Sequence, residues 1–203
     1  IEGQGTVTAD EAYEYGATAG LAAVPADGWL FEGWYSVDDA DTTTKLSSDP
    51  GYLFQIWENT ALTARFIEVS TLENNGNLNT AEKQATGFGE QTSAETVISY
   101  YEELGLTASI ADAEGNPITD GNVGTGAVIT VGGADYTVVV KGDVDGTGEV
   151  DIYDLRNMLR YLNDEGTLEG AYYDAACVLG EEFSIFDIRT TLNYINGDGS
   201  LTP

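Results

Sequence analysis

The stretch Lys141-Gly142-Asp143-Val144-Asp145-Gly146-Thr147-Gly148-Glu149-Val150-Asp151-Ile152-Tyr153-Asp154 decides how the rest of the chain is read. Counted from Asp143, side-chain oxygens fall at the first, third, fifth, ninth and twelfth positions: Asp143, Asp145, Thr147, Asp151 and Asp154. Gly148 stands sixth, where such a loop must turn sharply. That spacing wraps oxygens around a hard divalent cation, with the seventh residue offering its backbone carbonyl whatever its side chain. The expected calcium ligands are therefore Asp143, Asp145, Thr147, the carbonyl of Glu149, Asp151 through a water, and Asp154. Val150, at the eighth position, is expected to point inward and tie the loop to a core.

A repeat starts in the same place. A shift of 33 residues lays Ile152-Tyr153-Asp154-Leu155-Arg156 on Ile185-Phe186-Asp187-Ile188-Arg189, then Leu159 on Leu192, Tyr161 on Tyr194 and Asn163 on Asn196. The second loop does not keep the metal chemistry. Ala176, Val178 and Gly180 stand where Asp143, Asp145 and Thr147 stand in the first, Glu181 replaces the turn glycine, and Ser184 and Asp187 alone keep oxygens. Calcium takes six to eight oxygen ligands, so one calcium is expected, with Val178, Leu179 and Phe183 holding the second loop by apolar contact. A distorted second site drawing on Asp174, Glu181 or Glu182 is the alternative.

At 100° per residue each following helix shows two stripes. Leu155, Met158 and Leu162 share one side of the first, and Ile188 and Ile195 share the matching side of the second. The other side carries Ile152, Arg156 and Arg160, edged by Tyr153 and Leu159. Its copy carries Ile185, Arg189 and Asn193, edged by Phe186 and Leu192. A helix pair needs one apolar stripe for its own core; a second one mixing aliphatic, aromatic and Arg side chains has the composition of a partner surface. The competing reading is that Ile152 and Ile185 finish the core.

A duplicated EF-hand-like calcium loop, entered from a strand instead of a helix and closed by Asp instead of Glu, resembles the dockerin family, and the resemblance covers residues 141–203. It implies an all-α, calcium-binding module that docks onto a cohesin of a scaffoldin, in a cellulosome- or amylosome-type scaffold assembly serving polysaccharide degradation. It also implies that cohesin binding falls to Ile152, Tyr153, Leu159 and Arg160, and to Ile185, Phe186, Leu192 and Asn193. The worn second loop departs from the family's two-site, pseudo-symmetric arrangement.

The composition narrows the function classes. The chain has 203 residues, 35 of them acidic and 7 basic, for a net charge of −28. That excludes a basic patch for nucleic acid and argues against anionic membranes; it suits cation binding. No histidine occurs, which removes Ser-His and Cys-His pairs and any His-based zinc site. The single cysteine, Cys177, forms no disulfide within the chain and is expected to pack as a small apolar residue. No stretch approaches the roughly 18 apolar residues of a membrane-inserted span. The carboxylates scatter through turns without an arguable acid/base pair, so no enzyme activity is expected. Calcium sites of this class fill where calcium is plentiful, which points to a secreted or cell-surface-attached protein, and Ile1 reads as the start of a fragment of a longer secreted chain.

Ahead of residue 141 two further modules are expected. Residues 1–66 are strand-rich, with strands at 5–8, 18–24, 29–35, 52–57 and 61–66. The pattern Gly5-x-Val7, Tyr15-Gly16, Gly28-Trp29-x-Phe31-x-Gly33-Trp34, then Leu62-Thr63-Ala64-x-Phe66 is similar to the divergent InlB-type B repeats of bacterial surface proteins. That resemblance implies a small β-grasp-like module with a spacer or adhesive role. Trp29, Trp34 and Trp57 are expected to serve its core, the alternative being a glycan platform. A polar stretch at 73–79 reads as a linker. Residues 67–140 read as a small α+β module: a helix capped at Thr92-x-x-Glu95, carrying Val97, Ile98, Tyr101 and Leu104 and stopped by Gly105, then strands at 106–111, 127–131 and 136–140. With no linker before Asp143, this module is expected to share an interface with the calcium loop. It resembles the X-type modules that precede some dockerins. The chain as a whole is thus expected to be multi-module and non-catalytic, a calcium-dependent docking unit; the alternative is a surface adhesin or carbohydrate-binding fragment.

Overall fold

The computed structural model describes residues 1–8, 12–37, 43–73 and 78–201. Two compact units emerge. The first comprises Ile1–Asn75 with Tyr101–Ala108 and Thr130–Ala134; the second comprises Gly76–Tyr100, Ser109–Ile129 and Asp135–Pro203. The described chain is β-rich, with five helices.

In the first unit, strands β1 (Gly5–Val7), β2 (Thr18–Pro25) and β5 (Gly51–Gln55) form one antiparallel sheet in the order β1-β2-β5. Strands β3 (Trp29–Val37), β4 (Thr43–Ser47) and β6 (Leu62–Glu68) form another in the order β4-β3-β6. A single turn, α1 (Ser70–Glu73), follows. The period-2 alternation of β2 buries Ala19 and Ala23 and leaves Thr18, Gly20, Ala22 and Val24 outside. Phe31, Trp34, Ala64 and Phe66 meet Ala23 in the core, and Phe31 sits edge-on to Phe66 with ring centres 5.7 Å apart. Gly5 is explained by this core: a Cβ there would lie 2.5 Å from the Phe66 ring. The β-rich module is therefore present as expected, with β4 an addition the sequence did not signal. The three tryptophans do not all serve the core as expected. Trp34 is buried and Trp29 half-buried, but β5 ends at Gln55, and Trp57 stands 56 % exposed against the edge of Tyr15.

A five-stranded sheet, made mostly of second-unit residues, runs in the order β7-β8-β11-β10-β9. Its members are β7 (Leu78–Asn79), β8 (Gln84–Ala85), β9 (Ala108–Ala111), β10 (Val128–Val131) and β11 (Ala134–Val138), and β11 pairs in parallel with β8. Strands β7 and β8 were not expected; β7 takes the end of the supposed linker, and residues 74–77 of that linker lie outside the described residues. Helix α2 (Ala94–Glu103) starts one residue later than the capping-box spacing implied. Ser93, not Thr92, accepts the N–H of Thr96 at its hydroxyl, 3.2 Å away. The buried stripe is Ala94, Val97 and Tyr101, whereas Leu104 lies beyond the helix and exposed.

Beyond Val140 the regular elements among the described residues are α3 (Ile152–Leu162), α4 (Ala171–Ala176) and α5 (Ile185–Ile195). Their core gathers Val139, Val144, Leu155, Met158, Ala175, Ala176 and Ile188, with Tyr161 edge-on to both Tyr173 and Phe183. Of the predicted core stripe, Leu155, Met158 and Ile188 are buried, Ile195 is half-buried, and Leu162 is exposed. α4 has no counterpart in the sequence reading. It positions the loop entry: the Lys141 ammonium donates to the carbonyls of Asp174 and Cys177 at 2.8 and 2.9 Å, and the Gly142 N–H donates to the Ala175 carbonyl. A cation at the C-terminal carbonyls of a helix also offsets the negative end of its dipole. Among the described residues no helix is long and apolar enough to cross a membrane.

Candidate metal centre and helix surface

The loop folds around its own carboxylates. Asp143 is fully buried and accepts the N–H groups of Gly146 (2.8 Å) and Thr147 (3.1 Å) at Oδ1, and those of Gly148 (3.1 Å) and Thr125 (2.7 Å) at Oδ2. Asp154, also fully buried, takes the Val144 N–H at Oδ1 and the Asp151 N–H at Oδ2, each at 2.8 Å. Asp145 is exposed and accepts the Thr147 N–H. One carboxylate oxygen from each of Asp143, Asp145 and Asp154 lies within 4.8 Å of the others, and no other acidic, His or Cys group of three does so among the described residues.

This arrangement is electrostatically expensive without a cation. Burial raises the Asp143 carboxyl above its ordinary value against the pull of its N–H donors. Burial likewise pushes Asp154 up to about 6, and the charges of Asp145 and Asp143 add to the effect. No lysine or arginine pairs with either among the described residues. An all-oxygen donor set of this kind fits a hard divalent cation such as calcium or magnesium.

The remaining expected ligands fall differently. Asp151 is the N-cap of α3: its Oδ1 accepts the Tyr153 N–H at 2.7 Å, and with Asp154 it forms a reciprocal capping box. Its carboxylate is not part of the close cluster. Thr147 and Glu149 are exposed on the loop, and Thr147 enters the site through its backbone N–H. Gly148, at φ +76°, meets the requirement for the sharp turn, and a Cβ there would lie 2.9 Å from the Asn122 side chain. Val150 is buried, as the inward eighth position demands.

The second loop keeps the cap and loses the site. Ser184 caps α5 as Asp151 caps α3, and buried Asp187 accepts the Leu179 N–H as Asp154 accepts that of Val144. Those bonds reset the alignment. From Val144 to Asp154 is 10 residues, but from Leu179 to Asp187 is 8, so this loop is two residues shorter. Buried Val178, not Ala176, is thereby opposite Asp143. Val178 and Phe183 pack as expected, whereas Leu179 is 60 % exposed and holds the loop by its N–H instead. Asp174 is committed elsewhere, accepting the Gln84 amide at 2.5 Å.

The eight residues on the second stripe, Ile152, Tyr153, Leu159, Arg160, Ile185, Phe186, Leu192 and Asn193, are all exposed. Ile152 and Ile185, at 61 % and 52 %, do not finish the core. Between α3 and α5 they leave a groove of about 400 Å³, floored by Leu155 and Ile188 and flanked by Ile152, Leu159 and Leu192. Arg156, Arg160, Asn163 and Glu165 stand at its rim.

Several contributors to the site lie outside the loop and carried no sequence signal. Besides Thr125, the Glu90 carboxylate takes the Val150 N–H at 2.6 Å and the Tyr194 hydroxyl at 2.6 Å, and the Gln91 N–H donates to the Gly148 carbonyl at 2.7 Å. Glu90 pushes the Tyr194 phenol up to about 12. The contacts of Glu90 and Gln91 depend on tertiary approach across 50 or more residues of sequence, that of Thr125 across 18, and none leaves a local pattern.

Among known proteins, neither the curated proteins nor the solved structures give a match to this chain. No dockerin family model matches it. Residues 2–70 match the model of the divergent InlB B-repeat domain, so the N-terminal module is similar to that domain.

Proposed function

We propose that the chain is a non-catalytic, calcium-dependent docking unit. In this reading residues 141–203 act as a dockerin and attach a larger secreted protein to a cohesin on a scaffoldin. The observation that carries it is the convergence of Asp143, Asp145 and Asp154 within 4.8 Å at the N-terminus of α3, beside an exposed apolar stripe present in both helices. Asp143, Asp145 and Asp154 would hold the ion directly, with Thr147, the Glu149 carbonyl and Asp151 as the loop's further oxygens. Calcium supplies the positive charge that these crowded carboxylates lack.

Its effect on recognition follows from position. Asp151 and Asp154 cap α3, and Ile152 and Tyr153 are the first two residues of that helix. Fixing the loop therefore fixes where both side chains point. A ligand at about a thousand times its dissociation constant stabilises the state it binds by about 4 kcal/mol, a large share of a small domain's total. The test is retention of the chain by a panel of immobilised cohesins, in calcium and in chelator. Unaltered protein is expected to be held in calcium alone, and Asp143→Ala/Asp154→Ala in neither. Equal retention of that variant would defeat the reading. Calorimetry is expected to give one calcium per chain; two would refute the single site.

A second reading, an adhesive or carbohydrate-binding fragment, draws on the exposed Tyr15–Trp57 pair, with ring centres 5.3 Å apart. Glycan-array binding that survives deletion of residues 141–203 and is lost in Trp57→Ala would favour it.

A further inference from the structure

The calcium loop is not a closed unit. Its Val150 N–H points away from the carboxylate cluster to Glu90, and the Gly148 carbonyl receives the N–H of Gln91. On its other side Thr125 donates to Asp143, and Gly124 runs so close that a Cβ there would lie 2.1 Å from the Gly146 carbonyl oxygen. These two flanking segments are themselves tied together. The Val123 N–H donates to the Thr92 carbonyl and the Ala94 N–H to the Gly121 carbonyl. Residues 90–94 and 121–125 thus form one hydrogen-bonded cradle around the loop.

The two repeats use this cradle differently. The residue before each N-cap is Val150 in the first copy and Phe183 in the second. The Phe183 N–H is taken by the Tyr173 hydroxyl, within the helical segment, but the Val150 N–H is taken by Glu90, 60 residues away. The other Glu90 oxygen accepts the hydroxyl of Tyr194, on the helix whose own loop lacks the acidic cluster. The path from the first loop to α5 is therefore short: Val150 N–H, Glu90 carboxylate, Tyr194 hydroxyl, with 2.6 Å at each step.

Resting on the calcium reading above, we propose that Glu90 is a positioning residue of that site, coupling occupancy of the first loop to the placement of α5. One ion then orders both halves of the exposed stripe: α3 through its capping box, α5 through Glu90 and Tyr194. Coupling of this kind is reciprocal. Loss of the Glu90 bridge must weaken calcium binding, and loss of the Tyr194 hydroxyl must uncouple α5 from the ion.

The test uses the whole chain, with calcium as the only ligand. Calorimetry on Glu90→Ala is expected to give calcium affinity about tenfold weaker than the unaltered chain, with Glu90→Gln, which keeps one acceptor, between them. Amide hydrogen exchange supplies the readout that a merely structural role would leave unmoved. In the unaltered chain calcium is expected to raise protection in both α3 and α5; in Tyr194→Phe it should raise protection in α3 and leave α5 unchanged. Affinity of Glu90→Ala within about twofold of the unaltered chain, or an undiminished gain in α5 of Tyr194→Phe, overturns the coupling while leaving the docking reading standing. Where Glu90→Ala fails to fold, Glu90→Gln and Tyr194→Phe decide the question by the same criteria. Absence of calcium binding by the unaltered chain overturns both.

Discussion

Asp154 shows how one side chain carries two duties. It completes the capping box of α3 and shares a site with the carboxylates of buried Asp143 and exposed Asp145. Its carboxyl sits near 6 in the fold, above the ordinary 3.8. The sign follows by linkage: the fold favours the protonated group, so this contribution is fully present below about pH 4 and is lost as pH rises through about 6. Asp143 is shifted the same way by its burial. Calcium-free protein is therefore expected to melt at a higher temperature at pH 5 than at pH 7.5, and saturating calcium should reduce or reverse that order. Thermal scans in chelator and in calcium check it; a calcium-free protein more stable at pH 7.5 would contradict the crowding of these carboxylates. Gly124 gives a second residue-scale test. Any side chain there drives into the Gly146 carbonyl, so Gly124→Ala should displace the loop and weaken calcium binding by about tenfold, within the usual range of coupling between sites.

The helices separate packing from presentation at adjacent positions. Met158 is fully buried, and the neighbouring Leu159 is 43 % exposed. Met158→Ala should cost about 2–5 kcal/mol of stability. Leu159→Ala should leave stability within about 0.5 kcal/mol, as surface substitutions do, yet weaken retention by a cohesin. Denaturant melts beside pull-downs separate the two effects. The helical stripes were readable because a 3.6-residue period exposes both faces of a helix to inspection, and the strands of the first unit other than β4 because large apolar residues alternate with small ones. What escaped was short or distant. β7 and β8 are two residues each; β8 owes its existence to pairing with β11, and β7 to pairing with β8. α4, six residues long, ends on carbonyls held by Lys141, 33 positions before Asp174. The loop's three close carboxylates were legible from spacing alone, but the two-residue shortening of the second loop was not, since fixed-offset counting from Asp187 cannot see a deletion. Nor was the role of Asp151 as a cap, because an aspartate before a helix serves a metal and an N-terminus with the same oxygen.

At the scale of the whole molecule, charge sets two opposing responses to salt. The net charge of −28 repels itself within a compact state. Against that background the exposed stripe is an exception. Its own positions hold no acidic residue, Glu165 being the one acidic residue among the described residues that line the groove, and it carries Arg156, Arg160 and Arg189, three of the chain's seven basic residues. Exposed cations around an apolar groove are complemented by a partner face that sets carboxylates around a projecting apolar side chain, and such pairs steer association more than they tighten it. Raising ionic strength from about 0.01 M to about 0.15 M shortens the screening length from about 30 Å to about 8 Å. In calcium-free protein this should relieve self-repulsion and raise the melting temperature. In calcium, the same change should slow association with a cohesin while leaving dissociation nearly constant. Arg156→Gln/Arg160→Gln should flatten the salt dependence of association without altering that of melting, since neither guanidinium neutralises a buried carboxylate. Surface plasmon resonance at several salt concentrations, beside calorimetric scans, reads both quantities. An association rate indifferent to salt, or one that rises with it, would place the partner's contact away from this arginine-rimmed face.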